Sequence, residues 1–311
     1  MQSNNLVVFG NPPYQEMDGG YGKSAKPIYH LFVESIIDNL NPRYLSFIIP
    51  SRWMAGGMGL TKFRKRMMGD KRMRSIKHYP GQSDVFKAVL IKGGVNYFLW
   101  DRECEGKCDF NGVSRNLDEY DIILIDNKAV PILDKVLTKG GDFLNKKVLP
   151  RKPFGIASNS KDFKSTGIPC YTKGKERKFV DPSSFTDTHG VKDSWKVCTS
   201  KAINPNKEGN FHKFNSLFLA EPGTICSETY LVLGSLGGKA EAENLMSYVS
   251  SRMARFLLGL RVNAQNVSRD KFSWVPDMKD YSKNWTDEEL YKIFGLTNEE
   301  IEYIESKIKE I

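Results

Sequence analysis

At 311 residues the chain has room for about two domains, and its 40% apolar and 12% aromatic residues supply ordinary globular cores. No apolar run is long enough to span a bilayer, since Phe47-Ile48-Ile49 stops at Pro50, and no basic stretch followed by an apolar one opens the chain, which argues against a secretory leader. A net charge of +9 suits a polyanionic partner without demanding one, and five scattered cysteines, an odd number, point to a reducing cytoplasm rather than a disulfide framework.

Leu6-Val7-Val8-Phe9 reads as a short, fully buried strand, and Gly10 lets the backbone turn out of it. Asn11-Pro12-Pro13-Tyr14 follows. The two prolines fix φ and force an extended path, so Asn11 and Tyr14 are expected at the strand's carboxyl edge, where open α/β sheets bind ligands. An amide oxygen, a backbone carbonyl and an aromatic face together make a receptor for a planar amino group. Drawing both amino hydrogens toward acceptors turns the nitrogen lone pair toward an incoming electrophile. The polar, Gly-rich loop from Gln15 to Lys26 reads either as a cover over such a ligand or as a surface loop.

Pro27 suits a first helical residue, and Ile28, Leu31, Phe32, Ile36 and Leu40 keep helical spacing up to the Asn41-Pro42 stop. Tyr44–Ile49 is the next buried strand. Ala55-Gly56-Gly57-Met58-Gly59 is Gly-rich but precedes a basic helix instead of opening a βαβ unit. The basic run Lys62, Arg64, Lys65, Arg66, Lys71, Arg72 and Arg74 reads as a solvated face or as phosphate contacts. Ser75–Tyr79 is a further strand, and Lys87–Ile91 with Val95–Trp100 flank Lys92-Gly93-Gly94 as a hairpin. Cys104 and Cys108 lack a second ligand pair in register, and the four histidines stand apart, so no metal site is expected. Asp101, Glu105 and Lys107 echo a nuclease carboxylate–lysine cluster, but sit too tightly on one turn.

Strands alternating with helices to residue 147 give the fold class: α/β, part of a doubly wound sheet. From 148 to 275 the apolar runs shorten, Gly, Ser, Asn and Lys punctuate, and a basic cluster stands at Lys173-Gly174-Lys175-Glu176-Arg177-Lys178, as in a small α+β domain. One long amphipathic helix is predicted from about Ala240 to Leu260, with Leu245, Met246, Val249, Met253, Phe256, Leu257 and Leu260 as its core stripe. After it come Arg261, Asn263, Gln265, Asn266 and Arg269, side-chain types that pair with base edges in a DNA groove and equally populate solvated loops. Residues 276–311 form a helical tail, with capping boxes at Thr286/Glu289 and Thr297/Glu300 and Gly295 ending the first helix.

Asn11-Pro12-Pro13-Tyr14, the helix with Tyr29-His30-Leu31-Phe32-Val33-Glu34, the strand exit Pro50-Ser51-Arg52-Trp53, Val85-Phe86-Lys87-Ala88-Val89 and Gly93–Trp100 occur in one order. That order resembles the later motif blocks of Eco57I-like adenine-N6 DNA methyltransferases of restriction–modification systems, over about the first third of the chain. The segment from Trp285 resembles the closing part of the same branch. The resemblance implies a partial methyltransferase (Rossmann-like) sheet at 1–147, a target-recognition domain at 148–275, S-adenosylmethionine as methyl donor and double-stranded DNA as partner.

It also implies roles. Asn11, Pro12, Pro13 and Tyr14 would be catalytic, with Tyr14 and Phe86 stacking on a flipped adenine. Phe32 would wall the cofactor, and Arg64, Lys65, Arg72, Arg261, Asn263, Gln265, Asn266 and Arg269 would meet DNA. Phe86 is otherwise a core residue, and Phe32 otherwise part of its helix's stripe. In this family the cofactor's Gly-rich loop precedes the Asn-Pro-Pro-Tyr block, which here begins at residue 11. The expectation is a carboxyl-terminal portion that lacks most of the cofactor pocket, with cofactor binding doubtful and a partner chain or missing amino-terminal half possible. Then the Leu6–Phe9 strand becomes an apolar edge that invites association. Two rivals stand beside this reading: a non-catalytic DNA-specificity fragment working with another chain, and a protein glutamine N-methyltransferase. The long basic region past Lys147 argues against the latter.

Overall fold

The computed structural model describes residues 5–16, 25–57, 59–80, 85–86, 91, 93–161, 163–201, 203–204, 213–214, 216–262 and 267–308. Its packing divides the chain into two compact units, Met1–Asn127 and Lys128–Ile311. The division falls earlier than the boundary expected at 147, because residues 128–147 pack with the chain's last quarter. Leu144 N donates to Val275 O (2.8 Å) and Asp277 N to Asp142 O (2.8 Å). The tail from 276 belongs to this second unit as well.

The first unit holds a six-stranded sheet in the order β1-β2-β4-β3-β5-β6. Its strands are β1 Val7–Gly10, β2 Tyr44–Pro50, β3 Met73–Tyr79, β4 Val95–Asp101, β5 Cys108–Phe110 and β6 Val113–Arg115. β1 and β2 are parallel, with Gly10 opposite Phe47, and β4 runs antiparallel to both β2 and β3. β1, β2 and β3 therefore all end on one edge, at Gly10, Pro50 and Tyr79. Helix α1 (Tyr29–Ser35), extended by a π-helical turn over Ile36–Leu40, links β1 to β2, and α2 (Thr61–Gly69) links β2 to β3. A mixed α/β sheet of this kind is consistent with a methyltransferase-like fold.

Three expectations need correction here. β1 is not fully buried: Val8 packs on the core, but Val7 is 55% and Phe9 80% exposed. Its four apolar residues suggested burial on both faces, yet β1 lies at the edge of the described sheet, and of its four residues Val8 alone is partly covered. Helix α1 begins at Tyr29, because Pro27 instead bridges Gln15. Its buried face is Tyr29, Val33 and Ile37, leaving Leu31, Phe32 and Leu40 exposed. Finally, β4 takes β3 as its partner, Val95 opposite Tyr79; residues 87–90 and 92 of the expected hairpin lie outside the described residues. Gly94 is needed at its turn: its φ is +77°, and a Cβ there would lie 2.2 Å from Tyr79 O.

The second unit combines a three-stranded antiparallel sheet, β13-β10-β15, with a four-stranded one, β14-β8-β9-β7, and a short pair β11-β12. Their strands are β7 Phe163–Lys164, β8 Ile168–Tyr171, β9 Arg177–Val180, β10 Trp195–Ser200, β11 Ile203–Asn204, β12 Lys213–Phe214, β13 Leu217–Ala220, β14 Ile225–Cys226 and β15 Tyr230–Leu236. Helix α3 spans Val130–Lys139. The single helix expected over 240–260 is two, α4 Lys239–Ser250 and α5 Arg252–Arg261. Ser251 breaks them with ψ 155° and caps α5 through its hydroxyl, accepting from Ala254 N at 3.1 Å. Asp287 accepts from the next free amides, Arg252 N and Met253 N (3.0 and 2.9 Å). Asp287 itself opens α6 (Asp287–Phe294), which precedes α7 (Asn298–Lys307). Both capping boxes form, and Gly295 ends α6 in the left-handed region.

An apolar edge strand without a lysine or proline is open to pairing. Phe9→Lys is expected to lower concentration-dependent self-association in sedimentation velocity without moving the unfolding midpoint. Equal association in both proteins would contradict it.

Candidate active site

Asn11-Pro12-Pro13-Tyr14 leaves β1 at the shared carboxyl edge. Gly10 is not what turns the chain: it is the last strand residue, and a Cβ there would meet Phe47 at an ordinary 3.7 Å. The prolines carry the exit. Pro12 is buried while Asn11 and Pro13 are exposed, and the Pro12 carbonyl accepts no backbone hydrogen bond among the described residues.

Tyr14 is half-buried and held by its backbone, since Ile28 N donates to Tyr14 O (3.1 Å) and Glu16 N to Lys26 O (2.9 Å). These bonds and the Gln15–Pro27 bridge close the base of the Gln15–Lys26 loop, whose residues 17–24 lie outside the described residues. The Tyr14 hydroxyl is buried and makes no hydrogen bond of normal length among the described residues. Burial raises its pKa, and the nearby Asn11 side chain offsets part of that effect, so the phenol is neutral at physiological pH.

Behind this edge sits a buried polar network that sequence reasoning missed. Asn96, fully buried on β4, accepts through Oδ1 from Ser51 Oγ (3.2 Å) and Trp53 Nε1 (3.1 Å). Ser51 N also donates to Gly94 O (3.0 Å), so the turn after β2 is tied to the start of β4. The Trp53, Tyr29 and His30 rings surround Phe63 at 5.6–6.2 Å, joining α1 and α2 to that turn. A lone amide inside the apolar run Val95–Trp100 was the available signal. Next to it His78 is buried, donating its backbone N to Asn111 Oδ1 (2.8 Å).

Other sequence candidates fall elsewhere. Phe86 is half-buried in the connection between β3 and β4, and no ring contact joins it to Tyr14 among the described residues. Phe32 is 41% exposed on α1. Arg64 donates to Gly56 O (2.8 Å), and Lys65 is exposed on α2. Arg72 lies at the opposite edge, paired with Asp70 (2.7 Å) over the Trp100 ring, so it is not beside the Asn11 edge. It lines a cavity of about 560 Å³ with Arg66 and Lys71, but those cations are held by Asp38 and Asp118. Asp101 is likewise taken by Arg43 and Arg74. In the second unit Arg261 is 5% exposed and stacked on Trp274, 4.4 Å to the centroid, an anchor rather than a free base reader. Arg269 is exposed and donates to Asn145 O (2.7 Å). Asn263, Gln265 and Asn266 lie outside the described residues. No group of three potential metal ligands occurs among the described residues.

The Asn-Pro-Pro-Tyr exit thus stands at the carboxyl edge of a mixed α/β sheet. Residues 6–86 match the family described as Eco57I restriction-modification methylase. An uncharacterized adenine-specific methylase of Mycoplasma pneumoniae is 37% identical over 108 residues, which cover 34% of this chain and 25% of that protein. The chain is therefore Eco57I-like over its amino-terminal segment and spans about a quarter of that relative's length. The type IIG restriction endonuclease BpuSI aligns over 85% of this chain and 47% of its own, at 12% identity and a TM-score of 0.30, a likeness too slight to bear on fold or function.

Burial pulls the His78 imidazole below its ordinary pKa, with Gly93 O partly restoring it. The unfolded chain then takes up the proton first as pH falls. Stability is expected in full above about pH 6.5 and lost as pH drops through the depressed folded value. Unfolding midpoints at neutral and mildly acidic pH should differ less in His78→Gln than in wild type; an unchanged difference would contradict the assignment.

Proposed function

We propose that this chain supplies the target-adenine pocket of an S-adenosylmethionine-dependent adenine-N6 DNA methyltransferase of the restriction–modification kind. One observation carries the reading: Asn11, the Pro12 carbonyl and the half-buried Tyr14 ring stand together where β1 leaves the sheet. Their chemistry matches one exocyclic amino group. The Asn11 amide oxygen and the Pro12 carbonyl accept its two hydrogens, and Tyr14 stacks on the base. Adenine must leave the duplex to reach them. Held by these two acceptors, its amino nitrogen would turn its lone pair out of the ring plane, so positioning and polarisation are what these residues contribute. Phe86 is assigned the opposite face of the base.

S-adenosylmethionine supplies the methyl group, but the described residues do not fit it as a complete site. Among the described residues no strand runs straight into a Gly-x-Gly turn: Asn11-Pro12-Pro13-Tyr14 follows β1, and the turn Ser51–Met54 stands between β2 and Gly56. Gly56 serves packing instead: a Cβ there would lie 2.6 Å from Arg52 O, and its carbonyl is taken by Arg64. Phe32, exposed on α1, is available as an apolar wall only. The second unit, basic and rich in short strands, is assigned to target recognition on double-stranded DNA.

Methyl transfer from labelled S-adenosylmethionine to adenine-containing duplex tests the reading, with any partner polypeptide present. Asn11→Ala is expected to lower kcat on the order of a hundredfold or more, as loss of a positioned hydrogen-bond partner does. Tyr14→Ala should lose about 1–3 kcal/mol of base stacking, while Tyr14→Phe keeps the ring and stays within a few-fold of wild type. Full activity in Asn11→Ala would sink the proposal. Duplex binding without methylation would favour the non-catalytic specificity role, and methylation of a glutamine amide alone would favour the protein methyltransferase.

A further inference from the structure

In the second unit several chain segments bring cations to one edge. β8 and β14 are parallel, with Cys226 opposite Tyr171, so the residues after both strands emerge together. Ser227 N donates to Tyr171 O (3.0 Å) there. After β8 comes the turn Thr172–Glu176, and after β14 comes Glu228. Tyr230 opens β15 opposite Ser200, the end of β10, so Lys201 emerges at the same place, its N donating to Thr229 O (3.4 Å). Arg151 and Lys152 arrive on the segment that Leu149 N ties to Val232 O (2.9 Å).

The charges on this edge do not balance. Arg151 pairs with Glu228 at 2.9 Å, and Lys152 and Lys201 approach the same carboxylate at 4.0 Å. Three cations thus share one carboxylate, which Arg151 first of all holds below the ordinary glutamate range. Lys173, exposed at the neighbouring turn, has no charged partner among the described residues. Glu176 is taken up by Lys178 at 3.7 Å.

The turn that presents Lys173 is built rigidly. The buried Tyr230 hydroxyl donates to Thr172 O (2.8 Å) and accepts from Lys175 N (2.8 Å). Thr172 N and Oγ1 both donate to Glu176 O (2.8 and 3.1 Å). Lys175 Nζ lies 5.3 Å from the Phe218 ring centre. Lys152 and Lys175 both adopt positive φ, 58° and 62°, conformations uncommon for residues other than glycine. A pre-ordered ridge of cations in excess over carboxylates matches a regular row of phosphates better than a mobile lysine patch would.

We propose that Arg151, Lys152, Lys173 and Lys201 form a ridge that grips the sugar-phosphate backbone of duplex DNA, with Tyr230 as the residue that positions its turn. This rests on the DNA-directed reading above and specifies the part of the second unit that performs it. On binding, phosphate oxygens take over donors now shared by Glu228, and condensed counterions are released.

Fluorescence anisotropy with a short labelled duplex, over a series of salt concentrations, tests it on the full chain. Arg151→Gln/Lys152→Gln/Lys173→Gln is expected to weaken binding about tenfold or more and to reduce the log–log salt slope by about 2 to 3, or roughly 0.9 for each phosphate no longer neutralised. The control Lys239→Gln/Lys283→Gln/Lys292→Gln changes net charge equally and should keep the wild-type slope. Lys173→Gln alone, at an exposed side chain, should reduce the slope by about 1 with an unchanged unfolding midpoint. A wild-type slope in the ridge variants, or equal losses in ridge and control, overturns the ridge while leaving DNA binding in place. A wild-type chain that binds no duplex overturns the DNA-directed reading, and the ridge falls with it. Binding to anionic vesicles or acidic peptides that exceeds binding to duplex overturns DNA as the occupant.

Discussion

Parallel pairing of β1 with β2 is the constraint on which the candidate site depends. Among the described residues β1 has one strand neighbour, and that neighbour sets its register from Val7 opposite Tyr44 to Gly10 opposite Phe47. A slip of one residue would exchange Val8 for Val7 and Phe9 on the core face. It would also move Asn11 and Tyr14 relative to the ends of β2 and β3. The hydrogen bonds from Ile28 N and Glu16 N add a second hold on the far side of the motif. Between these two fixed points the prolines leave little freedom, so a flexible strand exit becomes a rigid presentation of an amide, a carbonyl and a ring.

The same edge is braced from behind by groups that make no contact with the proposed base. Asn96 gathers Ser51 and Trp53 onto one amide oxygen, and Gly94 lets β4 begin close against Tyr79. Buried polar groups of this kind are costly to leave unpaired and so fix one arrangement of their neighbours. The opposite edge shows different chemistry: its arginines and lysines are locked onto Asp38, Asp70, Asp101 and Asp118. Charge there is spent on structure, while the Asn11 edge keeps its acceptors available.

Much of the fold could be read from the sequence where local chemistry decides. The two Thr/Glu capping boxes, the left-handed Gly295 and the Asn41-Pro42 stop are contacts within one turn, and each formed as expected. The strands expected at Tyr44–Ile49 and Ser75–Tyr79 formed as Tyr44–Pro50 and Met73–Tyr79, because a short apolar run bounded by breakers is likewise a local signal. Errors arose where tertiary position decides. Composition could not tell that β1 is an edge strand, nor that Tyr29 rather than Leu31 faces the core. Ser251 ends one helix and caps the next because Asp287, thirty-six residues on, completes the cap. Arg261 looked like a base reader by type, but stacking on Trp274 depends on long-range packing. At the site itself, Asn11 through Tyr14 stood out because the motif is contiguous. The Asn96 network, assembled from residues 51, 53 and 96, did not.

The central claim is that the carboxyl edge of β1 receives an adenine. Photo-crosslinking with a duplex library of varied sequence that carries a photoreactive adenine analogue tests it, whatever the recognition sequence. The account predicts that peptide mapping finds the label on the stretch containing Asn11–Tyr14, and that excess adenine-containing duplex competes it away. Label confined to other peptides, or label on this stretch that adenine-free duplex removes equally well, would contradict it.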